Sequence, residues 1–468
     1  MDRNTKLIRN TLIYTIANFS TTLLSFFLLP LYTVYLTPHD YGEVDLIFTY
    51  IQIILPIFTL QITFATVRYL YDSDDFSSHR KILSNACFVL LLGMTLFLIV
   101  FGVYWRITGY MYAIYIVFLI VSNGFFSLVQ GATRGLKKNS TYALSGVISS
   151  AIQILCNISF IVGLGLKSTA LLISPTIAYI ISSFIIILLT KFHKYISVRE
   201  INLGTIKTML KYSIPLVPDA ILWWLLLGFG RVFLSRSHGI AAVGIYAVAN
   251  KFPSVLTMFY SIFNLAWQEN AYSEYGKDDR DYYYSKMYNS LMKLIFCTVI
   301  ILLPGTKIIV PLMLGVAFKT TYLYIPVLYI SAMLSMFSTF YGSGFESAKK
   351  TNGILISTLV AVIINVGLTL LLTPKLGVFG VALAMAISYM GLFVMRVIRS
   401  KQFFTIRVEK KSVMILSLIT TVWFGLYYID NSLLQMFAFF VGCVIFLYVN
   451  KIIVKVIFNK LSKGRKVN

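Results

Sequence analysis

The sequence predicts an all-α polytopic membrane protein of about fourteen transmembrane helices: two six-helix lobes related by an internal repeat, plus two C-terminal helices. Three observations carry this. Hydrophobic residues make up 58% of the 468, charged residues only 12%, and mean hydropathy is +0.82. A soluble domain cannot hide that much apolar surface. Apolar runs follow one another from Leu12 to Phe458, and ~20 such residues rising ~1.5 Å each cover the ~30 Å hydrocarbon core. Third, the basic residues lie in short connections that are alternately dense and sparse, the positive-inside pattern.

The runs place spans at 11–36, 44–69, 82–103, 110–133, 142–164, 169–190, 214–235, 240–267, 288–311, 322–345, 353–372, 377–397, 412–429 and 433–457. The N-terminal MDRNTKLIRN is basic, but the apolar run after it continues to Leu36. That is too long for a signal peptide and has no small-residue cleavage site, so it is taken as the first span. Odd-to-even connections such as 37–43 and 373–376 hold about five Lys and Arg, against about thirty in the termini and the even-to-odd connections. The split fits an even number of spans with both termini cytoplasmic. It also removes nucleic acid as a partner: the net charge of +23 is spread over short loops, with no basic domain to dock on a duplex.

The repeat shows in two stretches. YLTPHDYGEVDLIFTYIQIILPIFTLQITFATVRYLY begins at Tyr35 and FLSRSHGIAAVGIYAVANKFPSVLTMFYSIFNLAWQENAY begins at Phe233. Each runs through an aromatic exit, a polar turn, a Tyr-Gly or Val-Gly step, a Pro-containing span and a charged end. Repetition after six spans predicts lobes at 1–190 and 214–397, a basic cytoplasmic linker at 191–213, and two further helices with a basic tail at 398–468. Pro56, Pro175, Pro215, Pro218 and Pro253 lie in or at the ends of spans, where the missing N–H kinks a helix. Gly131 with Gly135, and Gly380-Ala384-Ser388, have the four-residue spacing of close helix packing.

Polar residues inside spans are the functional candidates. Lys251, just before Phe252-Pro253, lies ~11 residues past the Arg236–Gly239 turn, near the bilayer middle. A charge there costs roughly 2.5–3.5 kcal/mol on insertion scales, so it should face protein or a watery cavity. Asn18, Gln61, Asn250 and Gln268 join it as cavity candidates. Asn123, Gln130, Gln153, Asn157, Asn264 and Asn365 are either cavity walls or inter-helix hydrogen bonds. Arg231 either lines the cavity or snorkels to the interface, and Arg68 either binds substrate or anchors a cytoplasmic end. Trp223 and Trp267 are sugar-stacking surfaces or interfacial aromatics. Asp219 and Glu269, toward the cytoplasm, are coupling carboxylates or helix-end charges.

Enzyme signatures are missing. There is no GxxxxGK[ST] loop and no HExxH, and His39, His79, His193 and His238 are scattered over loops. Cys87, Cys156, Cys297 and Cys443 fall inside spans without metal or disulfide spacing. The connections are too short for a catalytic domain, so neither an enzyme nor a cofactor or metal is expected.

The chain resembles the polysaccharide transporters (Wzx-type O-antigen and capsule flippases) of the multidrug/oligosaccharidyl-lipid/polysaccharide exporter superfamily. The resemblance rests on NTLIYTIANFSTTLLSFFLLPLYTVYLTPHDYGEVDL, GRVFLSRSHGIAAVGIYAVANKFPSVL and LGVFGVALAMAISYMGL, in that order and spacing. It implies two six-helix lobes around a cation-lined cavity open to one side at a time. It also implies an undecaprenyl-diphosphate-linked oligosaccharide moved from the cytoplasmic to the outer leaflet of a bacterial inner membrane, for O-antigen, capsule or teichoic-acid-like polymers. Coupling to an H⁺ or Na⁺ gradient is suspected across the superfamily. Besides membrane lipids, polysaccharide polymerase and chain-length proteins are the partners expected. By position Arg231 matches the arginine of the family's Asp-Arg pair and Lys251 the lysine closing its Gly-Ile-Tyr segment, whereas Gly230 stands where the acid is usual.

Two other classes compete: an ion-coupled multidrug or small-molecule exporter of the same superfamily, and a scaffold for polymerases or glycosyltransferases. An exporter of cations would want carboxylates inside the spans, and a scaffold has no need of Lys251. The positive charge favours an anionic cargo, since a compact ammonium can bind phosphate and release it.

Overall fold

The computed structural model describes residues 26–72, 75–350, 352–451 and 455. No strand occurs among them, and they form seventeen α-helices. These are α1 (Leu29–Tyr35), α2 (Pro38–Thr59), α3 (Ile62–Tyr71), α4 (Phe76–Thr108), α5 (Ala113–Gly135), α6 (Asn139–Ile158) and α7 (Ser168–Thr190). Then come α8 (Leu203–Ser213), α9 (Leu216–Leu227), α10 (Phe229–His238), α11 (Ile240–Glu274) and α12 (Arg280–Met313). The last are α13 (Ile325–Ser347), α14 (Asn352–Leu376), α15 (Val378–Ser400), α16 (Lys410–Tyr427) and α17 (Ser432–Val449).

Among the described residues twelve helical segments are long and apolar enough to cross a membrane. The first expected span falls largely outside them, and only α1 is seen. The thirteenth is α16, an 18-residue helix opening on Lys410-Lys411. The all-α polytopic class with about fourteen spans therefore stands.

Local chemistry moves several boundaries. The connection expected at 37–43 is already helix, because Thr37 and Asp40 form a capping box with Pro38 at the first position. The span expected at 44–69 is two helices: Leu60 (φ 49°) and Gln61 (φ 54°) are both left-handed and break it four and five residues after Pro56. Pro56 itself is accommodated within α2. The seventh span is also in pieces, since α9 stops at Leu227 and α10 begins at Phe229. The linker expected at 191–213 is half helix, α8 running from an Asn202 N-cap toward α9.

The chain divides into two compact units at Ala247/Val248, inside α11. In the first, α7 packs on both α5 and α6. In the second, α15 packs on both α13 and α14, while α16 and α17 flank α12. The same three-helix packing of fourth, fifth and sixth spans thus recurs in each unit.

A second device recurs. In the first unit Asn85 of α4 donates to the Glu200 carbonyl (2.9 Å) and accepts from the Asn202 N–H (2.8 Å). Ser84 accepts from the Ser197 N–H at 2.9 Å. In the second unit Asn289 of α12 donates to the Arg407 carbonyl (2.9 Å) and accepts from the Glu409 N–H (2.9 Å). Ser285 accepts from the Arg407 N–H at 2.8 Å. Each Ser-Asn set holds the segment that follows its unit's sixth span, satisfying backbone groups outside the α-helices.

Candidate functional site

Two glycines set the geometry of the first unit. A Cβ on Gly42 of α2 would lie 2.1 Å from the Ile240 carbonyl oxygen, and one on Gly244 of α11 would lie 1.9 Å from that of Pro38. Only bare backbone lets the two helix starts cross this closely. They are the Tyr41-Gly42 and Val243-Gly244 steps of the repeat, set against each other.

This crossing places Tyr246 beside α10. The Arg231 guanidinium lies 5.5 Å from the Tyr246 ring centroid, and its Nε is 2.9 Å from Oδ2 of Asp45 on α2. It also donates to the Leu227 carbonyl at 2.6 Å, one of the carbonyls released where the seventh span breaks. Trp224 donates to the Thr49 carbonyl at 2.7 Å, and Gly228 leaves room for the Trp224 and Thr49 side chains. Arg231 therefore does not snorkel: it is paired, and its side chain is only 19% exposed.

The other candidates in this unit are dispersed. Gln61 begins α3 at the helix break, and Asn18 lies outside the described residues. Arg68 is exposed and paired with Asp72, the residue just past the end of α3, which suits an anchor better than a cavity wall. Asp219 is exposed in the first turn of α9, and Trp223 is 38% exposed. Asn157 donates to the Tyr32 hydroxyl at 2.9 Å and Gln130 to the Ser145 hydroxyl at 3.0 Å, which makes both inter-helix ties. Asn123 accepts from Ser127 of its own helix.

In the second unit Lys251 and Asn250 are half-buried in α11, which runs unbroken through Pro253. The Ser254 hydroxyl donates to the Lys251 carbonyl at 2.7 Å. Eleven residues at ~1.5 Å put Lys251 ~16 Å from the start of α11, half the hydrocarbon thickness. Trp267 is core: it is 1% exposed, stacks on Phe340 at 4.1 Å and meets Tyr284 edge-on at 5.0 Å. No face of that indole is left for a sugar. Gln268 donates to Glu346 at 3.4 Å, and the Tyr272 hydroxyl donates to the same carboxylate at 2.8 Å. Glu269 is exposed, Asn264 accepts from Tyr260 of its own helix, and Asn365 is buried.

A family model described as polysaccharide biosynthesis protein matches residues 7–267, more than half of the chain. The chain belongs to the polysaccharide biosynthesis protein family. No curated protein matches. Among solved structures, lipid II flippase MurJ in an inward closed conformation aligns at TM-score 0.69 and 16% identity, over 96% of this chain and 100% of that one. An inward-facing multidrug resistance MATE family transporter of the MOP superfamily aligns at TM-score 0.64 and 15% identity, over 88% and 96%. A MOP superfamily transporter from Pyrococcus furiosus Vc1 (DSM3638) aligns at 0.54 and 16%, over 88% and 95%. At these identities the likeness establishes the fold.

For this member of the polysaccharide biosynthesis protein family, three charged residues escaped the sequence reading. Asp45 provides from α2 the acid that Gly230 does not provide beside Arg231. The signal was its position, an acid in the first turns of an otherwise apolar span. Arg396, at the end of the span expected at 377–397, is 4% exposed in α15 and donates to the Ser338 carbonyl (2.7 Å) and the Ser357 hydroxyl (3.3 Å). Gly342 is what admits it, since a Cβ there would lie 2.9 Å from the guanidinium. Lys307 sits 4.0 Å from the Tyr322 ring centroid and 3.6 Å from Asp430.

Proposed function

We propose that the protein is a flippase that moves an undecaprenyl-diphosphate-linked oligosaccharide from the cytoplasmic to the outer leaflet, for O-antigen, capsule or teichoic-acid-like synthesis. Membership of the polysaccharide biosynthesis protein family carries this reading, and a fold shared with a lipid II flippase over nearly the whole chain supports it. The chemistry fits. A diphosphate head group needs positive charge to replace its hydration in a low-dielectric core, and Lys251 offers a half-buried ammonium at mid-span depth. In this proposal the repeat forms two six-helix lobes working by alternating access, Lys251 and its neighbour Asn250 contact the head group, and no cofactor takes part. A gradient of H⁺ or Na⁺ drives the cycle, with Asp219 and Glu269 as coupling candidates. The membrane is the bacterial inner membrane, with both termini cytoplasmic.

The test is to deplete the protein in its native host and score lipid-linked repeat units in spheroplasts with a membrane-impermeant sugar-modifying reagent. Units that accumulate out of the reagent's reach support the proposal. Units that still reach the outer face contradict it and favour the small-molecule exporter, the class to which the MATE likeness points.

A further inference from the structure

The first unit contains a cleft of about 520 Å³ between α2, the C-terminal half of α4 and the start of α5. Its floor is apolar and buried: Leu46, Ile47, Ile51, Phe97 and Ile116 are each 8% exposed or less. Its rim is open, with Tyr50, Val100 and Tyr104 between 41% and 51% exposed. The far end is closed by Phe58 against Phe97, ring edge to ring face at 5.4 Å. From Glu43 to Phe58 the cleft follows α2 for fifteen residues, about 22 Å of helix rise, which is more than half of a ~30 Å hydrocarbon core.

Among the described residues the charge lining the cleft lies at one end. Glu43 sits at its mouth, where the Tyr110 hydroxyl donates to the carboxylate at 3.5 Å. No Lys or Arg among the described residues lines it. A bare phosphate therefore finds no cation there, whereas an ammonium finds a carboxylate and a phenol oxygen. Next to the rim the α4 surface is a continuous apolar face, with Leu96, Ile99, Val103 and Ile107 exposed, as befits a helix bathed in hydrocarbon.

We infer that this cleft seats one hydrocarbon chain of a membrane lipid with a primary-amine headgroup, whose ammonium is held by Glu43 and Tyr110. The surrounding bilayer supplies the occupant, the length suits a chain lying along α2, and the charge at the mouth selects the headgroup. The cleft lies within the first unit, and the inference is independent of the transport reading.

Native mass spectrometry of the purified protein, washed in detergent and doped with phosphatidylethanolamine or phosphatidylglycerol, tests it. Both probes carry a phosphodiester and differ in the amine. The expected result is one retained phosphatidylethanolamine, favoured about fivefold over phosphatidylglycerol. Ile54→Trp should abolish retention without lowering the melting temperature, because the indole fills the cleft, and Glu43→Gln should keep the lipid but lose the preference. Ile54→Phe decides the question if the tryptophan variant does not fold. Equal retention of both lipids, retention of neither, or unchanged retention in a folded Ile54 variant would overturn the inference.

Discussion

Arg231 and Asp45 show what a charge inside a span requires. The pair is largely desolvated, and the guanidinium also serves a carbonyl freed by the break after Leu227. Removing one partner strands the other, which costs 3–5 kcal/mol when a pair is fully buried; at about one-fifth exposure we expect about 1–3 kcal/mol. Asp45→Asn and Arg231→Gln should each lower thermal stability in detergent, and the double variant should be less destabilised than their sum. Strict additivity would contradict the pairing. Lys251 is half-buried at mid-span, where a charge is costly unless it serves a function, and folded Lys251→Ala should abolish transport. At the membrane surface, the Lys293 ammonium 2.5 Å from Glu409 holds that carboxyl below its ordinary value. Because the folded-state pKa is depressed, the stabilisation is complete above the unfolded value of about 4.3 and is lost as pH falls through the folded one. Glu409→Gln should flatten the melting temperature between about pH 5 and pH 3 relative to wild type.

At the scale of elements, the crossing of α2 and α11 leaves no space for a methyl group. Gly42→Ala or Gly244→Ala should cost about 1–3 kcal/mol or more and lower the yield of folded protein, measurable by fluorescence-detected size exclusion. The Ser-Asn clamps make a paired prediction. Asn85→Ala and Asn289→Ala each strand one carbonyl and one N–H, costing about 1–3 kcal/mol. Hydrogen exchange should accelerate at Asn202 in the first variant and at Glu409 in the second. Much of this level was legible. The Tyr41-Gly42 and Val243-Gly244 steps marked the repeat, and the apolar runs marked the spans. The breaks were not legible, because Leu60 and Gln61 are ordinary residues forced left-handed by packing. A Cβ on Gly93 would lie 1.9 Å from the Phe58 carbonyl oxygen, showing how tightly α4 presses on the end of α2. No local propensity announces such a turn.

For the whole molecule, hydropathy alone carried the class, since long apolar runs admit no other environment. The site was harder to read because spacing along a helix does not say which face is covered. Trp267 and Gln268 adjoin in sequence, yet the first is locked against Phe340 and the second reaches Glu346. Arg396, at the end of the span expected at 377–397, drew no notice in the sequence, and only the packing of α13 with room made by Gly342 shows it buried. Asp45 became informative only with Arg231 opposite it. The central claim is directional movement of a lipid-linked oligosaccharide that depends on the mid-span ammonium. The most direct measurement reconstitutes purified wild type and Lys251→Ala in proteoliposomes carrying an undecaprenyl-diphosphate-linked oligosaccharide, and follows access of an impermeant sugar-modifying reagent over time. The account predicts that wild type exposes the inner pool under an imposed H⁺ or Na⁺ gradient, and that folded Lys251→Ala leaves it protected, as in protein-free vesicles. Equal exposure by wild type and Lys251→Ala, or none by either, would contradict it.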